Sequence, residues 1–375
     1  NTTSNACTIT LPASAEAGDQ IVIVDFARTW GTNSVELDSN GLNFQGDDDG
    51  STVEYTTSGQ SVNLIYSDAT KGWIPLEDDV VADEPVQPPT QKAIFGYGKT
   101  SSDVSLTNLV NSSGVVATDV TGVGTARNNL AASSYGGDKA IFGYGRTSTQ
   151  VSMTNLVNNS GVVATDVSGV GTARQSLAAA SYGGDKAIFG YGTDSSLTNL
   201  VTNQGVVGND VSGVGTARND LAAASYGGDK AIFGYGYYYS GGVVNYSLTN
   251  KVSNSGVVAS DTTGVGTARY LLAAAGYGGD KAIFGFGTTG SVTGLTNLVS
   301  NTGVVASNVS AVGTARKGLA AAGYGGDKAI FGYGTTGSLT AITNLVNNSG
   351  VVASDVSGVG TAREKPAAAG FSYAS

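Results

Sequence analysis

Histidine does not occur among the 375 residues, and cysteine and methionine occur once each. Without histidine there is no Ser-His-Asp or Cys-His catalytic set, no imidazole metal ligand and no proton shuttle near neutral pH. The single Cys7 excludes an intrachain disulfide framework and a CxxC zinc site. Charged residues make up 13%, about half the usual share. No run of about 18 apolar residues is present, so no membrane span or insertion is expected, and no signal peptide opens the chain. The first residue is Asn1 and not methionine, which reads as a processed or partial piece of something longer. What the chain does have is 56 glycines and 40% hydrophobic residues. That much glycine argues against a helical protein, and it does not follow the collagen period. The apolar content is enough for packed cores, and the length suits two domains or one large repeat array.

Self-similarity dominates the sequence. Lys-Ala-Ile-Phe-Gly-Tyr-Gly begins at Lys92 and returns at Lys139, Lys186, Lys230, Lys281 (with Phe286 in place of the tyrosine) and Lys328. The spacings are 47, 47, 44, 51 and 47 residues, giving six units over 92–375. Each unit reads as four short apolar runs punctuated by Gly, Asn, Asp or Ser, in the second unit Lys139–Tyr144, Ser152–Val157, Gly161–Val167 and Leu177–Tyr182. Four strands in such a period predict a β-propeller blade. The first unit has no Ala-rich strand before it, and the chain ends on Pro366–Phe371, which is one. The C-terminal strand is therefore expected to complete the first blade and close a ring of six. Small alanines suit the innermost position, where blades crowd around the axis.

These residues resemble kelch-type propellers, in which an Arg, a short gap, an Ala-rich strand, a Gly pair such as Gly183-Gly184 and an Ile-Phe-x-x-Gly strand follow one another. The likeness covers about three quarters of the chain. It is divergent, since the second glycine doublet is split as Gly-Tyr-Gly and the tryptophan of the fourth strand is missing. It bears on fold and not on partners. Galactose-oxidase-like copper chemistry is excluded by the missing histidines.

Residues 1–82 have another texture, and 83–91 form a Pro-rich stretch, with Pro85, Pro88 and Pro89, that predicts a semi-rigid polyproline linker. Residues 1–91 carry a net charge of −13, against +3 for the repeat array. Alternating runs at Thr8–Leu11, Gln20–Phe26, Ser34–Leu37 and Ser61–Tyr66 predict a small antiparallel β-domain. Its Leu-Pro, Gly-Asp, Asp-Phe-Ala and Lys-Gly-Trp elements, spread over residues 5–74, resemble a β-domain common in bacteriophage fibre and appendage proteins. That resemblance implies a virion protein whose N-terminal side attaches to other virion proteins and whose C-terminal module is presented. Such fibres are frequently trimeric, so a homotrimer is an expectation.

Several residue sets could carry chemistry. The repeated Arg127, Arg174, Arg218, Arg269, Arg316 and Arg363 could form an anion-gripping ring. A residue present in every blade usually serves the blade, and these arginines are expected to satisfy carbonyls or the aspartate of the Gly-Gly-Asp turn. The Gly-x-Gly pairs are turns, because no helix follows to supply a phosphate site. Asp47-Asp48-Asp49-Gly50 lacks the spaced ligands of a calcium loop and reads as a solvated turn. No carboxylate pair stands apart from the repeat to suggest glycoside hydrolysis. The Asn-x-Ser/Thr sites at Asn111, Asn158, Asn245 and Asn347 would matter only in a eukaryotic secretory setting.

Variation between units concentrates in the loop after Gly-Tyr-Gly. The longest such loop, 237–246, carries Tyr237, Tyr238, Tyr239 and Tyr246. Exposed tyrosines offer a flat apolar face with a hydroxyl, suited to sugar rings or protein surfaces. The expectation is a non-enzymatic virion protein, a tail or head fibre. It would need no cofactor, metal or nucleic acid, and would recognise a host-surface glycan or protein through these loops. The alternative is a purely structural capsid decoration or appendage subunit.

Overall fold

The computed structural model describes residues 2–46, 53–77, 91–310 and 312–372. Every regular element in them is a β-strand, and the chain divides into two compact units, 1–86 and 87–375. The expected polyproline geometry of 83–90 and the Asp47–Gly50 turn lie outside the described residues.

The N-terminal unit contains β1 (Cys7–Thr10), β2 (Gln20–Val24), β3 (Val35–Asp38), β4 (Val53–Tyr55), β5 (Ser61–Tyr66) and β6 (Trp73–Glu77). They form two three-stranded sheets, β1-β3-β4 and β2-β5-β6. The expectation of a wholly antiparallel domain needs one correction, because β1 and β3 run parallel, with Cys7 opposite Val35 and Thr10 opposite Asp38. The long excursion between them, which contains β2, gives the chain room to return in the same direction. Alternation along β3 and β5 points Val35, Leu37, Val62, Leu64 and Tyr66 inward, onto Trp30 and Trp73.

The repeat array is a six-bladed β-propeller. In the second blade the inner strand Ala131–Tyr135, the middle strand Lys139–Gly143 and the outer strand Thr154–Val157 make an antiparallel meander. The other five blades repeat it. The first blade takes its inner strand, Ala367–Phe371, from the C-terminus, paired with Lys92–Gly96. The inner strands neighbour one another all the way round, the C-terminal one lying between those of the second and sixth blades. The middle strands are buried on both faces because each blade is sandwiched between two others, which explains the unbroken Ala-Ile-Phe-Gly run.

The expected fourth strand is reduced. Val163 bridges Val157 and Val167 bridges Thr154, so five residues on the rim oppose four on the outer strand. This is a bulge, and it recurs in the other blades. A bulged rim is a poor template for pairing with another sheet, as an exposed edge requires. Its outward valines are solvent-facing, Val162 being 61% exposed, while Val163 is buried against the blade.

Candidate functional site

Two arrangements follow from the repeat: one shared by all six blades with small differences, the other different in each.

The first surrounds the arginines. Arg127 is fully buried. Its Nε donates to the Tyr144 carbonyl (2.9 Å), Nη1 to the Thr125 carbonyl (3.1 Å) and Nη2 to Asn155 Oδ1 (2.7 Å). The guanidinium also lies 4.4 Å from the centre of the Tyr97 ring of the preceding blade. The carboxylate facing it is Asp166, at 3.9 Å. The sequence pointed to the Gly-Gly-Asp turn instead, but those aspartates pair with the next lysine, as Asp138 does with Lys139 at 2.7 Å. Asp166 also accepts the hydroxyl and backbone N–H of Thr125, which joins the strand before one blade to that blade's rim. Burial pushes the Asp166 carboxyl up, but hydrogen bonds from Thr125 and Asn155 and the Arg127 charge outweigh it, leaving the group below its ordinary range. Arg363 closes the ring in the same way, donating to the Tyr97 carbonyl (2.8 Å) and to Asn108 (2.8 Å). The six arginines sit inside the wall between blades, each committed to at least one backbone carbonyl and an aromatic ring, and Arg127, Arg174, Arg218 and Arg363 to an asparagine as well. They present no cationic ring to a ligand.

The second arrangement occupies one face of the propeller, where inner strands begin and middle strands end. Here the loop that starts at Tyr237 is a β-hairpin: Tyr237–Tyr239 pairs with Val243–Asn245 around the turn at Ser240–Gly242. Its four tyrosines play unlike parts. Tyr237 is half-buried, packed on Tyr270 with ring centroids 4.9 Å apart, and its hydroxyl is pushed up to about 12 by burial and the nearby Asp220 and Asp194 carboxylates. Tyr238 and Tyr246 are also half-buried. Tyr239 projects, 61% exposed, beside Val243 and Val244.

On this face the structure adds residues that sequence reasoning missed. Directly after each Thr-Ala-Arg comes a pair that differs in every blade: Asn128-Asn129, Gln175-Ser176, Asn219-Asp220, Tyr270-Leu271, Lys317-Gly318 and Glu364-Lys365. The first member lies against its own blade's variable loop, as Asn128 bridges Arg146 and Asn219 bridges Tyr237. Across blades, Asn219 Nδ2 donates to Asp194 Oδ1 (2.6 Å) and Asn128 Nδ2 to Asp103 Oδ1 (2.6 Å). The second member turns in towards the axis. The signal was present in the sequence, as a changing dipeptide held between two constant segments.

Among the described residues no group of three or more Cys, Asp or Glu side chains is arranged to hold a metal ion. The opposite face, built from the Gly-Gly-Asp-Lys turns and the Asn-Ser-Gly turns of the rim, is nearly uniform from blade to blade. No protein-family model matches the chain, and a search of curated proteins finds no match to it.

Proposed function

We propose that the chain is a bacteriophage fibre or appendage protein that displays a propeller for recognition of a host-surface glycan or protein. The observation that carries this reading is the gathering of nearly all inter-blade variation on one face of an otherwise uniform scaffold. A rigid framework that varies only in its loops concentrates binding there. The contact residues in this reading are Tyr239, with Val243 and Val244, at the tip of the hairpin, supported from below by Tyr237, Tyr238 and Tyr246. Weak contacts repeated over several copies, in a trimer or around a particle, would act together by avidity. The acidic N-terminal unit, whose sequence resembles phage-fibre domains, would face the other virion proteins. No catalytic step is part of this reading.

The experiment is competition. The full chain, added to host cells before the virus, should block adsorption, and the Tyr239→Ala chain should block it less well. Equal blocking by both overturns the assignment to the hairpin. A second reading, a decoration subunit without receptor binding, draws on the uniform rim of exposed valines and the uniform opposite face, which would pack identical neighbours. Localisation on the particle separates the two: a subunit embedded in a lattice has no free variable face.

A further inference from the structure

At the axis of the variable face the second residues of the six changing pairs form a ring: Asn129, Ser176, Asp220, Leu271, Gly318 and Lys365. All six have left-handed backbones, with φ between 48° and 61°. Such a conformation is ordinary for asparagine or glycine and costly for leucine or lysine, so the surrounding structure imposes it. Backbone hydrogen bonds run round the ring, from the N–H of Ser176 to the carbonyl of Asn129, from Asp220 to Ser176, Leu271 to Asp220, Gly318 to Leu271 and Lys365 to Gly318, at 2.7–3.0 Å. The ring encloses the rim of a cavity of about 70 Å³, floored by the leucine or proline that follows each member.

A floor that is constant and a rim that never repeats separate structural need from chemistry. If the ring served only to close the channel, one residue type would suffice in all six blades. Instead the rim is organised. Asp220 and Lys365 are three blades apart in a ring of six, which places them across the axis from each other. The ion pairs found among the described residues all lie elsewhere, so this acid and this base face the cavity without joining. Ser176 flanks Asp220 and Asn129 flanks Lys365, so the arc Lys365–Asn129–Ser176–Asp220 is polar throughout. The remaining arc, Leu271 and Gly318, is apolar and, at the glycine, open. Burial raises the Asp220 carboxyl, against the Ser176 hydroxyl and the Lys365 charge, so the group gains from a cationic partner.

We infer that this axial cavity binds a small zwitterion of the α-amino-acid type, its ammonium on Asp220 and Ser176 and its carboxylate on Lys365 and Asn129. The α-carbon then lies towards Leu271 and Gly318, and Gly318 leaves room for a small side chain. The size is compatible: a cavity of about 70 Å³ is several times the roughly 10–15 Å³ that a single water needs, which admits a molecule as small as glycine or alanine. The inference does not rest on the fibre reading, and its test uses no cells or virus.

Titration calorimetry on the full chain, with glycine and L-alanine as probes and acetate and methylammonium as single-charge controls, decides it. Glycine should bind at least about tenfold more tightly than either control. Asp220→Asn and Lys365→Met should each weaken glycine binding by about tenfold or more while leaving the melting temperature close to that of the parent. Because the six positions are equivalent by the pseudo-sixfold repeat, the exchange Asp220→Lys with Lys365→Asp should restore binding, with the zwitterion turned end for end. Glycine binding no tighter than the controls overturns the inference, and that comparison needs no variant to fold. Undiminished binding by Asp220→Asn overturns it as well.

Discussion

Gly96 at the end of the first blade's middle strand and Phe142 of the second are fitted so closely that a Cβ on the glycine would stand 2.7 Å from the ring's Cζ. The relation is cyclic: Gly143 meets Phe189, Gly190 meets Phe233, Gly234 meets Phe284, Gly285 meets Phe331, and Gly332 returns to Phe95. Each phenylalanine also packs on the aromatic that follows that glycine, as Phe142 does on Tyr97 with centroids 5.1 Å apart. One pentapeptide, Ile-Phe-Gly-Tyr-Gly, thus supplies both the knob for one neighbour and the socket for the other.

Adding a methyl group to a socket should therefore loosen the ring. Gly143→Ala would place its Cβ 2.6 Å from Phe189 Cζ, and the phenylalanine, enclosed on both faces, has nowhere to retreat. The expected cost is about 1–3 kcal/mol. Urea unfolding of the variant against the parent measures it; an unchanged midpoint would mean that the wall between blades yields.

The latch around the arginines has one natural defect. Where other blades place an aspartate at the position of Asp166, the fifth has Asn308, which holds Thr267 through its amide but offers Arg269 no carboxylate. Arg269 is fully buried, and burial lowers its pKa, with the Tyr235 ring 4.4 Å away acting against that shift. Asn308→Asp should restore the pattern and raise stability by roughly 0.5–1 kcal/mol, the low end for a partly exposed carboxylate. The reverse change, Asp210→Asn in the third blade, should cost a similar amount. Thermal unfolding of both variants checks the pair, and equal effects of one sign would contradict it.

Much of this was legible beforehand. The repeat gave the six blades, and its phase placed the C-terminal Ala367–Phe371 strand in the first of them. Two things were not readable. The rim was expected as a full fourth strand because Gly161–Val167 is rich in β-branched residues, yet composition does not show that the strand must slip by one residue between Val163 and Val167. Likewise the partner of each arginine was sought nearby in sequence, in the Gly-Gly-Asp turn, whereas Asp166 is 39 positions from Arg127 and only the folded meander brings them together. The axial ring was missed because attention to repeated residues hides positions whose meaning lies in not repeating.

Acid should unlock the blades. Asp119, Asp166, Asp210, Asp261 and Asp355 each have a pKa below the ordinary value, burial being outweighed by hydrogen bonds from a threonine and an asparagine and by an arginine. A group whose folded pKa is depressed stabilises the fold fully above its unfolded value, about 3.9, and ceases to do so as pH falls through the folded one. The melting temperature should thus be level from pH 7 to about 5 and fall below about pH 4. Parallel curves for the parent and for a chain with all five aspartates changed to asparagine would show that the latch carries no such linkage.

The hairpin tyrosines separate support from contact. Tyr237 stacks on Tyr270 and is half-buried, so Tyr237→Ala removes packing and should cost about 1–2 kcal/mol of local stability. Tyr239 is 61% exposed and makes no ring contact among the described residues, so Tyr239→Ala should leave stability unchanged within about 0.5 kcal/mol. In adsorption the order should differ: Tyr239→Ala acts directly on the contact, whereas Tyr237→Ala acts through the shape of the hairpin. Tyr237→Phe keeps the ring and the stack, and should therefore rescue both stability and adsorption. A loss of adsorption in Tyr237→Phe equal to that in Tyr237→Ala would instead assign the recognition to the buried hydroxyl, and with it to the Asp194–Asp220 side of the face.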